Sequence, residues 1–323
     1  MKTVKDFNVK NKRVLVRCDF NVPLDKKGNI TDDFRIRQTL PTLRYLQENG
    51  AKLVLASHFA DGKCLDHVWK IVKEFIGEKD IVFLENLRLN KGEEENSNNF
   101  AKELADLADI YINDAFGVCH RTHASVVGVP KYLPSGAGFL LKKETSILSR
   151  IMQNPDRPFV AIIGGVKFES KAKVIDGFLR VADFVLTGGK IGFSHEVKKL
   201  NFSKLVLPVD NIDTFDIGPE TIKLFSEKIS KGKTIIWAGP MGLFEEPAFE
   251  KGTKEIAESM AENKEAFKIA GGGDTICALN KFGLIEKFDH ISTGGGAMLE
   301  FLAGDKLPGL EALGYYSNSH DKI

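Results

Sequence analysis

The chain has 323 residues, 43% of them hydrophobic and 28% charged, enough apolar material for large cores and for two domains. Forty-five basic residues against 44 acidic ones leave a net charge of +1, which argues against a nucleic-acid binder driven by a generally cationic surface. No apolar stretch is long enough to cross a bilayer, the segment MKTVKDFNVKNK lacks the apolar centre of a signal peptide, and Cys18, Cys64, Cys119 and Cys277 show neither a CxxC pair nor a zinc spacing. The expectation is a cytoplasmic protein with free thiols and neither nucleic-acid nor membrane partners.

The first half alternates apolar runs with helical patterns. RVLVRCDF is followed by a predicted helix from Arg35 to Asn49, AKLVLASH by one at Asp66–Ile76, DIVFLEN by one at Asn98–Leu107, and then comes ADIYIND. Strands separated by helices in this rhythm imply parallel βαβ units with right-handed crossovers. A helical stretch at Ala137–Met152 leads to Pro155 and Pro158, a boundary between a domain of residues 1–150 and one of residues 151–310. The segment LPGLEALGYYSNSHDKI, with residues 311–323 as its tail, either packs back on the first domain or frays.

The second half repeats the rhythm, with helices predicted at Ser170–Arg180, Pro219–Ser230, Phe249–Glu262 and Asp274–Phe282. Five of its apolar runs end in glycine clusters: FVAIIGG, ADFVLTGG, TIIWAGPMG, FKIAGGGDT and FDHISTGGG. In an open parallel sheet the loops after the strands line a crevice where ligands bind. Glycine lets backbone N–H groups reach phosphate oxygens, and the following helix start adds partial positive charge. A nucleotide site follows. The GxGxxG fingerprint of a Rossmann dehydrogenase is absent from the first strand, which ends in DFN.

Charged groups concentrate elsewhere. Eight of the ten arginines lie in residues 1–150, and arginine suits carboxylate and phosphate. Asp19, Asn21 and Arg35 follow the first predicted strand, His58 the second, Arg88 the third and Arg121 the fourth, which makes a convergent anion site. Lys167 also reads as an ordinary surface lysine, and Asp274, after three glycines, as a helix N-cap. His120 and His123 read as hydrogen-bonding loop histidines rather than metal ligands.

DFNVPL, TDDFRIR, LENLR, NDAFG with HRTHAS, IIGGVKFESK, WAGPMGLFE, GGGDT and STGGGAMLEFL, in this order, resemble the signature segments of the phosphoglycerate kinases across nearly the whole chain. The resemblance implies two Rossmann-like, doubly wound α/β domains joined by a helical hinge around Leu140–Pro158; a monomer is expected because nothing in the sequence pattern demands a partner surface. It implies reversible transfer of the acyl phosphate of 1,3-bisphosphoglycerate to ADP, with Mg²⁺, giving 3-phosphoglycerate and ATP. Asp19, Asn21, Arg35, His58, Arg88 and Arg121 would bind the phosphoglycerate. Arg35, Lys167, Gly272 and Gly295 would act on the phosphoryl group in flight. Gly165, Lys167, Lys171, Gly188, Gly189, Glu245, Gly271, Gly272, Gly273, Asp274 and Thr275 would hold the nucleotide, with Asp274 also on Mg²⁺.

The pattern is broken in places. Asp61 stands where the family has a substrate-binding arginine, and Ala238 where it has an asparagine. His58–Ile81, Gly189–Pro208 and Asn211–Phe215 are shortened. These departures put nucleotide affinity in question and motivate an alternative, a non-catalytic binding or interaction protein on the same scaffold.

Overall fold

The computed structural model describes residues 1–25, 27–59, 64–169, 171–200 and 202–318; Asp61 lies outside them. The chain divides into two compact units: residues 1–146 with the segment from Lys306 onward, and residues 147–305. The second boundary therefore falls before residue 310, and the last segment belongs with the first unit.

In unit 1 the strands are β1 Arg13–Arg17, β2 Lys52–Ala56, β3 Ile81–Phe83, β4 Ile110–Asn113 and β5 Ser135–Ala137, and the helices α1 Phe34–Glu48, α2 Asp66–Ile76, α3 Lys91–Glu94 and α4 Asn98–Asp106. The helix α5, Phe139–Gln153, carries the chain into unit 2. The sheet runs β3-β2-β1-β4-β5, all parallel. Its core joins Val14, Val16, Leu53 and Leu55 to Ile36, Leu43 and Leu46 of α1 and Val68, Trp69 and Val72 of α2. Each such side chain contributes about 1.5–3 kcal/mol by leaving water. The three-residue β5 escapes prediction because SGA has no strand-like side chains; pairing with β4 makes it a strand.

The start of α5 is built from distant residues. Thr42 Oγ1 accepts from Phe139 N at 2.8 Å and Asp114 Oδ1 from Leu141 N at 3.1 Å, so α1 and the end of β4 satisfy backbone donors that the helix itself leaves open. Burial pushes Asp114 up to about 7 against the opposing hydrogen bonds from Thr42, Leu141 and Leu140.

Unit 2 holds β6 Phe159–Ile163, α6 Ala172–Val181, β7 Phe184–Thr187, α7 Gly189–Phe193, α8 His195–Lys198 and β8 Leu205–Val206. The chain continues through β9 Asn211–Ile212, β10 Asp216–Ile217, α9 Pro219–Ile229, β11 Thr234–Ala238, α10 Lys251–Glu262, β12 Phe267–Gly271, α11 Gly273–Lys281, β13 His290–Ser292 and α12 Gly295–Leu302. The order β13-β12-β11-β6-β7-β8 is again parallel. Every residue of β6 and β11 is buried, as a sheet covered on both faces demands. Direction of winding reverses between β6 and β11, and that switch point is where a doubly wound sheet opens a ligand crevice. The shortened connection survives as the small antiparallel pair β9–β10. The last helix, α13 Pro308–Ala312, belongs to unit 1. No helix among the described residues is long and apolar enough to cross a membrane.

Candidate active site

Four adjacent parallel strands of unit 1 deliver their following residues to one edge. Asp19 is buried and holds Arg35 through its Nη1, 3.4 Å away; the same nitrogen donates to Asn21 O at 2.8 Å. Burial works to raise Asp19, but Arg35, His58 and Arg17 together with the Asn21 N–H win, and its carboxyl titrates below the ordinary value. The reverse holds for His58. Burial, reinforced by Arg17, Arg88 and Arg35 against the pull of Asp19, drives it down to about 3. His58 is therefore a neutral donor at physiological pH.

Arg88 lies beyond β3, 3.3 Å from Glu94. Arg121, beyond β4, has an exposed side chain and forms no ion pair among the described residues. His120 Nδ1 is buried without a hydrogen-bond partner among the described residues. Burial, then Arg121, lowers its pKa. Among the described residues there is no group of three His, Cys, Asp or Glu able to hold a metal.

Sequence reasoning passed over Arg17. It sits in β1, completely buried, with Glu93 Oε1 at 3.7 Å and Ser125 Oγ accepting from its Nε at 2.7 Å. A charged residue inside the apolar run RVLVR was the available signal: in a strand covered on both faces it must find a partner.

Unit 2 opens a cleft of about 610 Å³ at the carboxyl ends of its strands. It is lined by Gly165, Lys167, Lys171, Gly189, Glu245, Gly271, Gly272, Gly273, Asp274, Thr275 and Gly295, with Ala238 and Lys190. Gly188 does not line it; it packs behind, against Met241. Two close approaches explain the glycines. A Cβ on Gly164 would overlap the carbonyls of Pro240 and Gly239, closing the seam between β6 and β11, and one on Gly295 would overlap the backbone of Gly272.

Thr275 Oγ1 accepts from Gly239 N at 2.8 Å and ties the α11 start to the end of β11. The N-cap of α11 is Gly272, without a side-chain cap bond, so Asp274 sits inside the first turn and its carboxylate is not consumed in capping. Lys171 precedes α6; burial lowers its pKa and the neighbouring Asp274 opposes the shift. A larger groove of about 730 Å³ lies in unit 1 between the Leu84–Lys91 segment and α4. None of the candidate anion binders lines it.

One unit offers fixed guanidinium and imidazole donors, the other a glycine-walled cleft with lysines and a carboxylate at helix starts, and this division of labour is that of a phosphotransferase. The phosphoglycerate kinase family model matches residues 4–75, 63–201 and 193–305. The phosphoglycerate kinase of Dictyoglomus turgidum is 44% identical, with 96% of this chain and 97% of that protein covered, and that of Finegoldia magna 42% identical, with 97% and 98% covered. Among solved structures, phosphoglycerate kinase from Pyrococcus horikoshii superposes with a TM-score of 0.87 at 30% identity, over 99% of this chain and 100% of that one. The enzyme from Coxiella burnetii gives 0.84 at 32% identity, over 98% and 99%.

The chain belongs to the phosphoglycerate kinase family and is a glycolytic kinase; nothing in these comparisons favours a non-catalytic scaffold. The alignment with the Dictyoglomus protein runs over 386 positions, more than the 323 residues present here, so stretches of that relative have no counterpart. The family match comes in three pieces that overlap at residues 63–75 and 193–201, within two of the segments read as shortened.

Proposed function

We propose that unit 1 binds 3-phosphoglycerate or 1,3-bisphosphoglycerate through Asp19, Asn21, Arg35, His58, Arg88 and Arg121, and that unit 2 binds ATP or ADP in the glycine-walled cleft. The convergence of Lys167, Lys171 and Asp274 with three glycine turns at the β6–β11 switch point carries this reading. Phosphoryl transfer spreads negative charge over three oxygens, so positioning and charge stabilisation do the catalytic work. Arg35 and Lys167 stabilise that charge, Lys171 and the N–H groups around Gly272 and Gly295 hold the phosphate chain, and Glu245 contacts the ribose. A carboxylate or diphosphate oxygen is already a competent nucleophile, so no side chain has to remove a proton.

Mg²⁺ fits the donor set in one way only. Of the two carboxylates lining the cleft, Glu245 is assigned to the ribose and Asp274 stands at the start of α11, and no protein cluster completes a metal shell among the described residues, which matches a hard cation that would take its remaining ligands from nucleotide phosphates and water. When bound with the nucleotide, the ion neutralises phosphate charge. Asp274 would hold the ion there.

Transfer between ligands carried by separate units requires their approach, and α5 with its exit is the segment that flexes; small-angle scattering with both ligands would show compaction. We further read the protein as a cytoplasmic monomer. The test is a coupled assay of ATP- and Mg-dependent phosphorylation of 3-phosphoglycerate. Turnover is the expected result, and silence under saturating ligands overturns the proposal.

A further inference from the structure

Arg17 touches four groups, and each constrains the next. Its Nε donates to Ser125 Oγ at 2.7 Å, Nη1 donates to Cys18 O, and Nη2 faces both Glu93 Oε1 at 3.7 Å and His58 Nδ1 at 3.3 Å. Ser125 Oγ accepts from Arg17 and its hydroxyl donates to Glu93 Oε1 at 2.6 Å, while Ser125 N donates to Glu93 Oε2 at 2.9 Å. Arg17, Glu93 and the Ser125 hydroxyl thus form a closed network inside unit 1, and both charged side chains are fully buried. An ion pair held this way is costly to break, because removing either partner leaves the other charge buried alone.

The network ends at an imidazole. A guanidinium has only donors, so where Arg17 Nη2 meets His58 Nδ1 the ring nitrogen must accept. The other tautomer would set N–H against N–H. Asp19 Oδ1, 3.9 Å from the same nitrogen, is too distant to claim the proton. Neutral His58, with Nδ1 accepting, carries its proton on Nε2.

We infer that Arg17, locked by Glu93 and Ser125, is a positioning residue that fixes His58 as an Nε2–H donor for the phosphoglycerate. The inference rests on the proposed role of His58 in substrate binding. It assigns the Glu93–Ser125 pair to the upkeep of a binding group that neither residue touches. Burial is the main force that keeps the ring neutral; Asp19 opposes it, and Arg17, Arg88 and Arg35 add to it, so the donor persists without a titration step near neutrality.

The test uses the full chain labelled with ¹⁵N-histidine, His58 being assigned by its loss in His58→Gln. Long-range proton–nitrogen spectra of the wild type should show Nδ1 bare and Nε2 protonated from pH 5 to 8; a proton on Nδ1, or a charged ring at pH 7, overturns the inference. The double variant Arg17→Met with Glu93→Gln removes both buried charges together. It should release the tautomer and raise KM for 3-phosphoglycerate about tenfold with kcat little changed, the scale of one hydrogen bond; an unchanged tautomer and KM would refute it. Arg17→Lys should recover part of the loss. If His58→Gln leaves KM unaltered, the substrate-site reading fails instead. Should the double variant not fold, the wild-type spectra alone decide.

Discussion

The two proposed anion sites are built by opposite means. Unit 1 uses side chains whose charges are paired and mostly withdrawn from solvent: Asp19 against Arg35, Glu93 against Arg17, and a neutral His58 among them. Unit 2 uses backbone. Its cleft walls are glycines, its lysines sit at the rim with Lys167 exposed, and its carboxylate Asp274 is solvent-accessible. A network of buried charges fixes geometry at the expense of tolerance. A glycine cradle fixes geometry by excluding side chains, and the flexible cations are left to adapt to a nucleotide.

The largest expected effects come from removing the charges assigned to the transferring group. Arg35→Ala and Lys167→Ala should each lower kcat in the coupled assay by roughly 10²–10³-fold, the scale of losing a preorganised donor. Activity surviving both changes would break the assignment.

Next is the cradle itself. Gly164→Ala inserts a methyl against the Pro240 and Gly239 carbonyls, an overpacking of about 1–3 kcal/mol. Calorimetry should find weaker nucleotide binding with 3-phosphoglycerate binding unaltered. Equal losses of both would contradict independent construction of the two sites.

Asp114 gives a pH-dependent comparison within unit 1. Its folded value of about 7 lies above the ordinary carboxyl value of 3.8, so the folded chain holds a proton that the unfolded chain has already released. Stability from this group is therefore complete below the unfolded value and falls as pH rises from about 4 to 7, at about 1.4 kcal/mol per pH unit at most. Asp114→Asn, which keeps the acceptor for Leu141 N, should gain on the wild type between pH 5 and pH 8 in urea denaturation. A constant difference would mean that Asp114 does not titrate there. The smallest change expected is from Ala238→Asn, which restores a polar side chain to the cleft wall and should lower KM for ATP a few-fold, about the worth of one hydrogen bond. No change, or a rise, would show that the shortened cleft no longer places that donor on the nucleotide.

Much of this was legible locally. The alternation of strand and helix patterns yields both sheets, and helix boundaries such as Asp66–Ile76 coincide with the structure. The glycine clusters announce the cleft because each is a local signal at a strand end. Arg17, Glu93 and Ser125 are illegible together, since their partnership spans 108 residues, and no window of sequence reports such a pairing. The Asp274 ambiguity had a different cause. Capping and ligand binding use the same residue type after the same glycines, and only the location of the N-cap at Gly272 separates them.

The placement of α13 bears on the order in which the molecule can be finished. Leu307 and Leu310 are fully buried, and Gly309 N donates to Cys119 O at 2.8 Å, within the loop that carries Arg121. A chain emerging from the ribosome has the whole of unit 2 once Asp305 is out. Unit 1, begun first, is still waiting for its closing piece. Domains fold as units during synthesis, so unit 2 can reach completion while unit 1 still lacks α13, the piece that ties down the loop carrying Arg121.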